Sequence, residues 1–232
     1  MITKIEIVPK TREADILLFD KLDLDSLPNK RIVPLFGPNG VGKSTLLNGL
    51  LKASEGNRNA GVKAKINKKT VVFSYRNSED NLRVRKPKTY MESFDPFLLK
   101  AKFDAGSVSE GQSIMYSIYD LIDGIGTSKN AMKYEGKDIV VLIDELDSGL
   151  SIDNLDRILK KLKYSTERRK DVQIVFSFNN PYVLRYFPDV VSLFTGEVIH
   201  LETTEDMLSE IEKHKDFRKI RYYSNGKPKV FG

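Results

Sequence analysis

The stretch Gly37-Pro38-Asn39-Gly40-Val41-Gly42-Lys43-Ser44 constrains this chain more than any other. It follows an apolar run, Ile32-Val33-Pro34-Leu35-Phe36, and precedes a segment whose Leu46, Leu47, Leu50 and Leu51 share one helical face. The spacing is G-x-x-x-x-G-K-S, set between a buried strand and a helix. Glycines let the backbone curl so that its amides point inward as a nest for phosphate oxygens. The helix opening near Lys43 adds its positive end. Lys43 is expected to reach the β- and γ-phosphates of a nucleotide and the Ser44 hydroxyl a magnesium ion, with Gly37 through Ser44 and the adjoining Thr45 as the contact set. A glycine-rich turn before a helix is the plainer alternative. It does not account for all the fixed positions and both flanks.

A second element lies about a hundred residues on. Ile139-Val140-Val141-Leu142-Ile143 is a continuous apolar run, as expected of a strand covered on both faces, and it ends in Asp144-Glu145. Ligands of open α/β sheets bind at the carboxyl ends of the strands, so these two carboxylates are placed at the edge that matters. Asp144 is expected to hold magnesium, directly or through water, and Glu145 to polarise an attacking water.

The remaining patterns fill in an α/β fold with a mostly parallel core sheet, an N-terminal antiparallel β portion and a small inserted lobe. Ile5 and Ile7 alternate with Lys4 and Glu6 as in a half-buried strand, and 16–24 reads as another extended segment. Runs 62–66 and 71–73 read as a hairpin across Asn67-Lys68-Lys69, with Pro28-Asn29 as an earlier turn. Ile114, Ile118, Ile122 and Ile125 recur at helical spacing, as do Leu155, Ile158, Leu159 and Leu162. Run 172–176 reads as a buried strand, 190–194 and 197–201 as a hairpin about Thr195-Gly196, and 205–217 as a helix. The expected organisation is one domain: a core of 1–76 and 138–201, a lobe of about 77–137, and a basic helical tail of about 202–232.

Composition narrows the setting. The 232 residues, 40% hydrophobic and 30% charged, are enough for one well-buried core. Cysteine is absent, which removes disulfides and thiolate metal sites and fits a reducing compartment. The opening MITKIEIVPK has no long apolar run, and no stretch approaches the roughly 18 apolar residues that span a bilayer, so a cytoplasmic location without direct membrane insertion is expected. The net charge of +6 concentrates in 63–69, 83–88 and 213–229. Such runs permit nucleic-acid contact, although solvated surface is their commoner meaning.

Val108-Ser109-Glu110-Gly111-Gln112 can be read in two ways. Ser109 and Gln112 have the spacing of a capping box, in which two side chains satisfy free amides at a helix start. The same letters resemble the signature of ABC-type ATPases. The phosphate loop, VSEGQ and LIDELDSGLS occur in that family's order, and together they resemble it over roughly 2–201. The resemblance implies an ATP-binding, magnesium-dependent ATPase in which two copies sandwich ATP head to tail. Ser109, Gly111 and Gln112 of one copy would then face the γ-phosphate bound by the other. It also implies that 146–151 forms a loop touching the opposite site, and its DSGL wording is closer to soluble RecF-like and SMC-like ATPases than to transporters.

Two family residues are missing. Tyr75 and Arg76 stand where a glutamine is usual, and in FSFNNP the nearest match to the family's histidine is Asn179, which can donate a hydrogen bond but cannot carry a proton as histidine does. Slow turnover is therefore expected, with Glu145 and Asn179 as the catalytic candidates. An effector of DNA repair or antiviral defence is the partner that the analogy suggests. The alternatives are the ATP-binding subunit of a membrane transporter and a nucleotide-gated interaction module with negligible hydrolysis.

Overall fold

Strand β3 (Ile32–Phe36) is buried at every residue and forms the hub of the molecule. The computed structural model describes residues 1–8, 11, 16–57, 59–67, 69–76, 80, 108–126 and 134–216. On one side β3 pairs in parallel with β7 (Val172–Ser177), and β7 pairs in parallel with β6 (Asp138–Asp144). β6 in turn pairs in parallel with β5 (Thr70–Arg76). On the other side of β3 lie β8 (Asp189–Ser192), also parallel, and the antiparallel β9 (Val198–His200). The six-stranded order is β5-β6-β7-β3-β8-β9. Central strands of uninterrupted apolar residues suit such a sheet because helices cover both faces.

The second sheet is antiparallel and has three strands in the order β2-β1-β4, formed by Lys21–Asp23, Ile2–Ile7 and Val62–Ile66. Gln173 joins it to the core. This side chain is wholly buried in β7, accepts a hydrogen bond from the Ile2 amide (2.8 Å), and donates to the Ile2 and Lys30 carbonyls (3.0 and 2.7 Å). The Ile2 amide and carbonyl are buried and would otherwise lack a partner, which is why a polar residue is tolerated among apolar ones.

Helix α1 (Lys43–Ser54) lays Leu46, Leu47 and Leu50 into the core, each fully buried leucine contributing about 1.5–3 kcal/mol. Gly49 lets it approach β4, since a Cβ there would lie 2.9 Å from Val62 Cγ2. Helix α2 (Glu110–Gly126) buries Ile114, Ile118 and Ile122 and packs on α3 (Ile152–Arg168), which buries Leu155, Ile158, Leu159 and Leu162. Ser151 caps α3 by accepting from the Asn154 amide. Helix α4 (Thr204–Lys213) opens with a capping box of Thr203 and Asp206.

Two sequence expectations need correction. Runs 62–66 and 71–73 do not form a hairpin: β4 pairs with β1 and β5 with β6, so they belong to different sheets. Of the extended segment over 16–24, only Lys21–Asp23 is strand, and Leu24–Ser26 turns into a 3-10 helix capped by Asp23. The 190–201 hairpin is present, with its strands shortened to Asp189–Ser192 and Val198–His200. The basic run 83–88, most of the lobe and the tail from 217 lie outside the described residues.

Candidate functional site

The strand order explains why residues distant in sequence meet. β7 separates β6 from β3, and register pairs Leu35 with Ser177 and Ile143 with Phe176. The carboxyl ends of the three strands therefore lie side by side. They deliver Asp144-Glu145, Ser177 to Asn180, and the loop beginning at Gly37 to one edge, where α/β proteins bind ligands.

The loop 37–42 depends on its glycines. Gly37, Gly40 and Gly42 have φ of 152°, 84° and 109°. A Cβ on Gly42 would lie 2.8 Å from Leu17 Cδ2, so this position is closed by both backbone and space. Gly42 is the N-cap of α1 and supplies no side-chain cap, which leaves the amides of the first turn without that partner. Asn39, Gly40 and Ser44 are exposed, Pro38 and Thr45 are half-buried, and Val41 is wholly buried as the loop's anchor.

Lys43 is only 6% exposed. Its Nζ donates to the Gly37 carbonyl (2.5 Å) and to Asn179 Oδ1 (2.7 Å). Burial holds the ammonium below the usual lysine range, opposed by the charge of Asp147 and then by those of Glu145 and Asp144. The structure thus brings Lys43, Asn179 and both acids of the pair into one neighbourhood.

Ser177 organises the acid pair. Its Oγ donates to Asp144 Oδ1 (2.7 Å) and accepts from the Glu145 amide (2.7 Å). Glu145 has φ of 52°, the one positive value among the described non-glycine residues, and its side chain is exposed. Such a conformation costs on the order of 1–3 kcal/mol and persists where neighbours enforce it. Asp147 forms a second brace, with Oδ2 accepting from the backbone amides of Asn179 (2.9 Å) and Asn180. Asn180 then caps the 3-10 helix Pro181–Arg185 by accepting from the Tyr182 amide.

Arg76 stands in register with Asp144, at the end of β5 where the glutamine was looked for, and the Tyr75 side chain is buried in the core. Tyr75 therefore cannot take that glutamine's place at the surface of the edge.

The Ser109 end of α2 is built differently. Gln112 N donates to Ser109 Oγ (3.3 Å), and Ser109 N donates to Gln112 Oε1 (3.1 Å), a reciprocal capping box. Ser109, Glu110 and Gln112 are exposed. A Cβ on Gly111 would lie 3.1 Å from both the Gly149 carbonyl and Asn154 Nδ2, so this glycine admits the 146–151 loop and the start of α3 against α2.

Neither protein-family models nor curated proteins match the chain. Solved structures do. A chain from an inward-facing ABC transporter, assigned to the metal-chelate type, aligns with TM-score 0.51 and 21% identity over 91% of this chain and 90% of that one. An ATP-binding cassette of an ABC transporter in its ADP conformation gives 0.51 and 17%, covering 94% and 98%. A nucleotide-free cassette gives 0.50 and 16%, covering 90% and 96%. With the mostly parallel sheet, these likenesses show an α/β fold shared with the ATP-binding cassettes of ABC transporters. Among the described residues no helix is long and apolar enough to cross a membrane.

Ser177 was not singled out in the sequence, and Asp147 was singled out only within the 146–151 loop, not as a brace for Asn179 and Asn180. The signal for Ser177 was present as a lone hydroxyl ending the apolar run VQIVFS, one strand from the acid pair.

Proposed function

We propose that this chain is a magnesium-dependent, ABC-type ATPase that closes on ATP as a head-to-tail pair and thereby controls a partner effector. One observation carries the reading: the Lys43 ammonium, buried in a glycine-built loop, meets Asn179 at the sheet edge that also bears Asp144 and Glu145. Gly37 to Thr45 cradle the phosphates through backbone amides, and Lys43 leaves the Gly37 carbonyl to engage the terminal oxygens. Ser109 and Gly111 of a second copy supply the opposite wall, which the exposure of Ser109 allows.

The donor set fits magnesium. Ser177 occupies one oxygen of Asp144 and leaves Oδ2 for an ion that the Ser44 hydroxyl of the loop would also hold. Magnesium bound by few protein groups would take its remaining ligands from phosphate and water. Bound there, magnesium would neutralise charge on the β- and γ-phosphates.

Glu145 then orients and polarises water, its backbone pinned by Ser177, while Asn179 offers amide hydrogens to the γ-phosphate. Asn179 cannot relay a proton, so turnover is slow and the closed pair long-lived. The DSGL wording of the 146–151 loop and the cysteine-free composition support a cytoplasmic RecF- or SMC-like ATPase, with an effector of DNA repair or antiviral defence as its partner.

Phosphate release and light scattering test this together. Glu145→Gln should cut phosphate release at least about tenfold and keep ATP-dependent dimers. Ser109→Arg should preserve nucleotide binding and abolish the dimers. Dimers unaffected by Ser109→Arg would return this stretch to a capping role alone.

A further inference from the structure

The Asp147 carboxylate has two features that the catalytic roles above do not use. Oδ2 takes the amides of two consecutive residues, Asn179 and Asn180, and Oδ1 is buried without a hydrogen-bond donor among the described residues. A purely structural brace needs one acceptor, and a second, orphaned oxygen is a cost that a neutral side chain would reduce. Asp147 also lies close enough to Lys43 to act on it more strongly than either acid of the pair.

We propose that Asp147 is a positioning residue for γ-phosphate recognition, holding the Asn179–Asn180 backbone so that the Asn179 carboxamide stays beside Lys43, where the terminal phosphate of a nucleoside triphosphate must arrive. The inference rests on the phosphate-loop reading. Its chemistry follows from donors and acceptors. An ammonium can only donate, so Asn179 must turn Oδ1 to Lys43 and is left with Nδ2 for an acceptor such as a phosphate oxygen. A carboxamide on an exposed loop residue keeps such an aim only if its backbone is fixed. Asp147 fixes that backbone directly, and the Asn180 cap of the 3-10 helix Pro181–Arg185 fixes it from the far side.

The phosphate that Asn179 would touch is present in triphosphates and absent from diphosphates, so the readout is discrimination between them. Titration calorimetry with the full chain, magnesium, ADP and a non-hydrolysable ATP analogue gives both affinities without requiring turnover. Asp147→Ala should lower triphosphate affinity about tenfold, the scale of one good hydrogen bond, with ADP affinity held within about threefold. Asn179→Ala should do the same, and the double variant should lose no more than either alone. Asp147→Asn keeps a carbonyl acceptor and should retain wild-type discrimination. It also decides the matter if melting curves show that the alanine variant does not fold.

Equal loss for both nucleotides, additive losses in the double variant, or an asparagine variant as impaired as the alanine would overturn the proposal. Wild type that binds both nucleotides equally, while Lys43→Ala still abolishes binding, would end the Asp147 role and leave the phosphate loop intact. Wild type that binds neither would remove both.

Discussion

Two helix starts in this molecule carry glycines and a serine, and they are finished in opposite ways. At α1 the N-cap is Gly42, which has no side chain to offer, and the nearest cation, Lys43, is buried and held by the chain's own Gly37 and Asn179. At α2, Ser109 and Gln112 satisfy each other's amides and stand exposed. The first start leaves its amides without a side-chain cap. The second is self-satisfied and must give up its box before it can greet a phosphate. A chain designed only to end loops neatly would cap both. On the proposed function, α1 would bind phosphate by itself, while α2 would engage only when a stronger acceptor competes with Ser109.

The comparison can be broken at several points. Lys43→Ala removes the only buried cation of the loop, and nucleotide affinity should fall about 100-fold or more by calorimetry. Retained micromolar binding would mean that the α1 end is not the anion site. Gly42→Ala forces a side chain into φ of 109° and against Leu17, and should cost about 1–3 kcal/mol in urea melts. Ser109→Ala deletes only a cap and should cost about 1 kcal/mol, with nucleotide binding by the single chain unchanged. If instead Ser109→Ala impaired that binding, the two helix starts would not be independent.

The smallest effect expected lies away from both. His200 bridges Asp189 (2.8 Å) and Glu202 (3.0 Å), which raise its pKa above the usual histidine value. Its stabilisation is fully present below the unfolded value of about 6.5 and is lost as pH rises through the higher folded value. The site is exposed, so His200→Gln should flatten the pH dependence of melting only slightly over that window.

How legible was all this beforehand? β3, α1, β6 and β7 were readable because a buried parallel strand is a solid apolar run and α1 carries its leucines at helical spacing. The false hairpin arose because the alternation of 62–66 and the apolar run 71–73 each report a strand and say nothing of its partner. The true partner of β5, β6, follows in sequence only after 108–126 and the segments around it. Segment 16–24 failed since its apolar residues Leu17, Phe19 and Leu22 are buried by packing, and only Lys21–Asp23 pairs as a strand. At the site, Lys43, Asp144, Glu145 and Asn179 stood out as members of patterns and are gathered at one edge. Ser177 belongs to no pattern, and Asp147 stood out only as part of the DSGL loop, with no role as a brace. Their work is visible only once β6 and β7 lie side by side.

The buried carboxamide of Gln173 has a mechanical corollary. Because one side chain grips Ile2 by amide and carbonyl and Lys30 by carbonyl, the antiparallel sheet is riveted to the strand that leads into Ser177 and Asn179. Shearing one sheet over the other would strand the buried Ile2 amide and carbonyl, each at about 1–3 kcal/mol. Any rearrangement of the two sheets would therefore have to spare this joint, whereas on the helical flank α2 rests on α3 through a glycine.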